Sequence, residues 1–271
     1  MSRCSLALFG TPEKRKTMNT TQERHSVDVA VLDGAAIVNM LPPRKCKTFK
    51  EYSEAVFLPY VLNYSALNVK RIDLVRDRYF ENKQGTREAR GTGARRRVCN
   101  TAAIPATWKS FLRLDENKKV LFKFLDASVK SISVQCDAQV ISTDDIDVVS
   151  HATVDKEGLA PSNHKEADTR ILLHVKHASA RGMKKVLIRT VDTDVVILAV
   201  AFARKLPVEE LWVAFGVGKH LRYLQIHSMV DNLTTSQCEG LPFFHALTGC
   251  DTVSFFSRKG KKSAFQEWKL S

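Results

Sequence analysis

From Ser26 to Phe215, short apolar runs alternate with longer stretches in which apolar residues recur at helical spacing, and several runs close near an aspartate. Ser26–Leu32 (SVDVAVL) is β-branched and ends at Asp33-Gly34, which predicts a buried strand with Asp33 at its carboxyl end. AAIVNML predicts a helix stopped by Pro42-Pro43, and 49–67 predicts another with a kink at Pro59. RIDLV, Arg71–Val75, reads as a second strand with Asp77 just beyond it. Helical spacing resumes over 107–129 through Trp108, Phe111, Leu112, Leu121, Phe124 and Leu125, and a third strand is expected over 131–141. The next helix should start from an N-cap at Ser162 or Asn163 and stop at Arg181-Gly182. A strand over Lys185–Thr190 leads into VDTDVVILAV, 191–200, which is followed by a helix. Leu211–Phe215 and 221–226 predict a hairpin around Gly216-Val217-Gly218-Lys219, which lacks the spacing and the following helix of a phosphate loop. Two short helical segments then lead to 247–251. Strands alternating with helices predict an α/β fold with a mainly parallel central sheet flanked by helices.

Two regions break the alternation. Residues 1–25 lack periodicity and carry Lys14-Arg15-Lys16, the pattern of a disordered basic arm with a nuclear-localisation role for that cluster. Within 78–104, Tyr79 to Arg97 holds six basic residues and three glycines with almost nothing apolar after Phe80, which predicts a mobile basic loop. Lys plus Arg totals 42 against 29 Asp plus Glu, a net charge of +13, and this favours a polyanionic partner. No apolar run approaches the ~20 residues of a membrane span, and the N-terminal apolar core is too short for a signal peptide. An intracellular protein without membrane attachment is therefore expected. The six scattered cysteines form no CxxC pair, so free and mostly buried thiols are expected rather than zinc ligands or a disulfide framework.

The candidate chemistry lies in the acids. Read as a strand end, Asp192 and Asp194 share a face and repel unless a cation stands between them. Ligands of open parallel sheets bind outside the carboxyl ends of the strands, and Asp33, Asp77, Asp192 and Asp194 all fall there. Glu166 and Asp168 open a helix, and Asp251 lies just past one. Seven acids from five segments are thus expected at one pocket. Clustered carboxylates with few histidines and no suitable cysteines suit Mg²⁺ or Mn²⁺ rather than zinc. The acids of Asp144-Asp145-Ile146-Asp147 fall in polar sequence and are expected to be solvated.

In order along 26–268, these motifs resemble the flap endonucleases and related 5′ nucleases of the PIN-like superfamily. VAVLDGAAIVNML resembles the first strand with its leading aspartate, Asp33. RIDLVRD and the Lys/Arg-rich stretch after it resemble the second strand, Asp77 and the basic arch. HKEADTR is similar to the EAE element (Glu166, Asp168) and VDTDVVIL to the DxD element (Asp192, Asp194). LTGCDTVSFFSRKGKKSAF is similar to the GSD element (Asp251) running into a helix-two-turn-helix. The resemblance implies a PIN-like nuclease domain over 26–271, with an arch-like insertion at 78–104 and a partial helix-two-turn-helix at 247–271, in a truncated chain. It implies structure-specific, two-metal hydrolysis of phosphodiesters, in DNA ahead of RNA, with the seven acids as ligands of two Mg²⁺ or Mn²⁺ ions. It further implies that Lys83, Arg87 and Arg90 meet phosphates near the scissile bond, and that Gly260, Lys261 and Lys262 grip duplex backbone. Two other readings remain: an inactive nucleic-acid-binding relative, and a haloacid-dehalogenase-like phosphatase using the Asp-x-Asp pair.

Overall fold

The computed structural model describes residues 27–65, 68–79, 95–132, 137–248, Phe265 and Trp268. Its strands are β1 (Val29–Asp33), β2 (Arg71–Val75), β3 (Gln139–Asp144), β4 (Asp147–Ser150), β5 (Lys185–Thr190), β6 (Glu210–Phe215) and β7 (Arg222–Gln225). They form one sheet in the order β4-β3-β2-β1-β5-β6-β7. β3, β2, β1, β5 and β6 run parallel, and antiparallel β4 and β7 close the two edges. The expected α/β architecture with a mostly parallel sheet is therefore present, and among the described residues no helix is long and apolar enough to cross a membrane.

Period-2 alternation turns successive residues of the parallel strands to opposite faces of the sheet, and a core lies on each. Val29 and Val31, Val75, Val186 and Ile188, and Leu211 and Val213 face one core. Helices α6 (Ala167–Ala180), α7 (Thr193–Phe202), α8 (Ile226–Val230) and α9 (Thr235–Leu247) cover that core. Ala30 and Leu32, Ile72 and Leu74, Leu187, and Trp212 and Ala214 face the opposite core. It is covered by α1 (Gly34–Met40), α2 (Phe49–Tyr52), α3 (Leu58–Leu62), α4 (Trp108–Phe111) and α5 (Asp115–Lys130). The chain moves outward from β1 to β4, then returns to β1's other side at β5. The β1/β5 junction is thus the topological switch point, where ligands of such sheets bind.

Several expected elements shift for local reasons. The kink at Pro59 is accommodated by a π-helical turn over Ser53–Phe57, which places the proline in the first turn of α3, where a missing N–H costs least. The single helical stretch over 107–129 is two helices. Leu114 is extended, the acids Asp115 and Glu116 open α5, and the Asn117 side chain donates to the Phe111 carbonyl (3.1 Å) that ends α4. The third strand begins at Gln139, not at 131, because α5 continues to Lys130. The acidic stretch 144–147 is the turn between β3 and the unexpected β4. Asp145 adopts φ 53 there, and exposed Asp145 and Asp147 meet Arg78 (2.6 Å) and Lys156 (2.7 Å). Of the described cysteines, Cys238 is buried, but Cys46 and Cys99 are only partly so.

Candidate metal centre

Strand alternation carries Asp33, Asp73 and Thr190 onto the face covered by α6 and α7, in phase with Val31, Val75 and Ile188. Asp33 ends β1 and caps α1, accepting from Ala36 N at 3.0 Å. Its other oxygen accepts from Thr190 Oγ1 on β5 at 2.8 Å. Thr190 Oγ1 in turn accepts from Asp192 N at 3.0 Å. One fully buried hydroxyl therefore ties both strand ends at the switch point together.

Asp192 and Asp194 do not share a strand face. β5 stops at Thr190, Asp192 is the N-cap of α7, accepting from Asp194 N at 2.9 Å, and Asp194 stands in the helix's first turn. An aspartate at the start of a helix is a natural cap, since its carboxylate satisfies an otherwise unpaired helix N–H. Asp77 accepts from Ala167 N at 2.8 Å, so the continuation of β2 is bonded to the start of α6. Arg78 N also donates to the Lys165 carbonyl at 2.8 Å. That pairing holds the segment out of helical geometry until Ala167. The N-cap is consequently Glu166, not Ser162 or Asn163, and Glu166 is exposed. Asp168, one residue inside α6, is half-buried.

The site is strongly negative. Burial pushes the Asp33 carboxyl up to about 6; the bonds from Ala36 and Thr190 oppose the rise, while the charges of Asp77 and Asp192 add to it. Burial pushes Asp168 further, to about 8, with Asp192, Asp33, Asp194 and Asp77 all raising it. Five of the seven expected acids thus act on one another across four chain segments. Asp251, Lys83, Arg87, Arg90, Gly260, Lys261 and Lys262 lie outside the described residues.

Two neighbours fix the frame. A Cβ at Gly34, directly after Asp33, would stand 2.5 Å from Arg76 Cγ and 3.2 Å from the Val75 carbonyl oxygen, so the ends of β1 and β2 meet only over glycine. Arg76 is itself buried, bonded to Asp126 and Ser142 and lying over the Phe122 ring at 4.7 Å. Two site residues escaped the sequence reading. Thr190 is a fully buried hydroxyl two residues before Asp192, and the TxD spacing is its only signal. His245, on α9, brings Nε2 to 2.8 Å from Asp194 Oδ1 and has no local signal at all.

The donor set is chemically suited to a hard divalent cation, being all carboxylate oxygen. Among the described residues, no three His, Cys, Asp or Glu side chains stand as a ready-made ion cage. Like charges on flexible side chains do not close on one another without a counter-charge between them. Comparison with family models and with curated proteins returned no match to this chain.

Proposed function

We propose that this chain is a divalent-metal-dependent nuclease, its acids at the β1/β5 switch point binding Mg²⁺ or Mn²⁺ and its basic segments binding nucleic acid. The observation that carries the reading is the gathering of Asp33, Asp77, Asp168, Asp192 and Asp194 at that point, where burial first and their mutual repulsion second raise Asp33 and Asp168 well above ordinary carboxyls. A divalent cation relieves such repulsion and displaces the protons.

Asp33, Asp168 and Asp192 are the primary ligands in this reading, with Asp77, Asp194 and Asp251 completing the set and exposed Glu166 at its margin. When bound, such ions activate water and steady the attacking and leaving oxygens of an in-line phosphodiester displacement. The chain's own contribution is orientation. Thr190 holds one oxygen of Asp33, Asp192 is held by its own cap bond, and the Ala167 N–H holds Asp77. The net charge of +13 favours a nucleic-acid backbone as substrate. Exposed Arg95, Arg96 and Arg97 continue the basic stretch that holds Lys83, Arg87 and Arg90. Gly260, Lys261 and Lys262 are the second backbone contact, and DNA is the favoured polymer.

The test uses purified protein with labelled flap, nicked and single-stranded DNA in Mg²⁺, Mn²⁺ or EDTA, beside Asp192→Ala. Cleavage that needs metal and disappears in the variant is expected. Binding without cleavage would transfer the reading to an inactive nucleic-acid-binding relative. Hydrolysis of a small phosphate ester alone would point to a phosphatase.

A further inference from the structure

We infer that His245 is a positioning residue for the acid cluster, holding the Asp194 carboxylate in one orientation so that divalent-cation affinity depends on a hydrogen-bond donor at position 245. The inference rests on the reading of the acids as metal ligands. It adds a residue from an element that supplies none of the five clustered acids Asp33, Asp77, Asp168, Asp192 and Asp194.

His245 lies in the last turn of α9 and is 7% exposed. On that helix Cys238, Leu241 and His245 recur at i, i+3 and i+7, one stripe, and all three are buried. Cys238 and Leu241 belong to the apolar core that includes Val196 and Val200 of α7. An imidazole in such a stripe is costly unless a polar group meets it, and Asp194 Oδ1 does so at 2.8 Å. An ionised carboxylate only accepts, so Nε2 carries the proton in this contact.

The helix has little freedom to turn this histidine elsewhere. Its start is closed by a capping box between Thr234 and Gln237. Arg204 donates to Thr235 Oγ1 (2.6 Å) and to the Leu233 carbonyl (3.0 Å) just before it. Beside His245, Phe244 packs on Phe265 and Trp268 with ring centroids 5.6 and 5.0 Å apart. The donor is therefore fixed, whereas the Asp194 side chain it meets is 41% exposed. A partly exposed carboxylate on two rotatable bonds samples several rotamers, and a rigid buried donor selects one. Gathering like-charged ligands around a cation then costs less reorganisation. Partners that orient a metal's ligands in this way typically contribute ~10–100-fold in affinity or activity.

A histidine near a helix C-terminus also interacts favourably with the helix dipole. A role confined to that would change stability and leave cation affinity alone. The test compares His245→Leu and His245→Gln in the full chain, with Mn²⁺ affinity measured by calorimetric titration and folding checked by thermal unfolding. Both substitutes are good helix formers, but only the glutamine amide donates. The leucine variant is expected to bind Mn²⁺ ~10–100-fold more weakly, with most of the loss recovered by glutamine. Equal affinities in the two variants, or native affinity in His245→Leu, would overturn the inference while leaving the metal site intact. No saturable Mn²⁺ binding by the native chain would overturn the metal reading itself, and the inference with it.

Discussion

Asp73 and Asp77 leave strand β2 and its continuation four residues apart, and both meet helix α6, yet their surroundings are opposite. Asp73 is fully buried with both oxygens engaged. Arg71 Nε and Nη2 each donate at 2.7 Å, and His174 Nδ1 stands 2.7 Å from Oδ2. Arg71 Nη1 continues to His177 Nδ1 at 2.7 Å. Burial alone would raise the Asp73 carboxyl, but the charges and bonds of Arg71 and His174 outweigh it and hold it down at about 2. Earlier on α6 than His174, burial and negative neighbours lift Asp168 to about 8. The first group of charges closes on itself and supports the fold. The second concentrates charge of one sign at the sheet's switch point, an arrangement that costs stability and that the proposed cation would relieve.

The largest expected effect comes from breaking the balanced group. Asp73→Ala leaves the Arg71 guanidinium buried without its carboxylate, and urea unfolding should show a loss of about 3–5 kcal/mol. In the unbalanced group, saturating cation should do the reverse. Mn²⁺ at 100 times its dissociation constant should stabilise the native chain by about 2.7 kcal/mol, and Asp192→Ala should abolish the gain. Gly34→Ala should cost ~1–3 kcal/mol through overpacking against Arg76 and should weaken cation-dependent activity more than other substitutions of equal cost, because it parts the strand ends bearing Asp33 and Asp77.

The two groups should also give the metal-free protein opposite pH dependences. Asp73 titrates near 2 in the fold against an ordinary 3.8. Its contribution is present above about pH 4 and is lost as pH falls toward 2. Burial and the nearby Arg71 lower His177 from 6.5 to about 4, so stability is also lost as pH falls through that window. Asp168 works the other way. The folded chain keeps its proton up to about pH 8 while the unfolded chain releases it near 3.8, so stability falls as pH rises between them. Asp168→Asn should flatten this alkaline arm in thermal unfolding across pH 5–9 and leave the acid arm unchanged. This is the smallest of the effects, since the residue is half-buried and solvent screens its charge.

The sheet was largely legible because its strands are short apolar runs bounded by polar residues: RIDLV and KVLIRT are strands with the expected limits. The acids at strand ends were legible for the same reason. The geometry of Asp192 and Asp194 was not, because VVILAV is apolar throughout and period alone does not separate a buried strand from a buried helix. RIDLV carried a second message that went unread. Arg71 and Asp73, two apart on a strand, share a face, and a buried Arg–Asp pair is what that spacing allows. The delayed start of α6 depends on a bond between Arg78 and Lys165, and His245 reaches a residue 51 positions away. Such contacts between distant segments leave no trace in local pattern.

The contrast between the two acid groups is tested most directly by titrating the metal-free chain with Mn²⁺ at pH 7 in two buffers of different ionisation heat. Saturable binding is expected, with release of a proton that disappears in Asp168→Asn, and binding itself should be lost in Asp33→Asn with Asp192→Asn. No saturable binding, or binding retained undiminished in that double variant, would contradict the account.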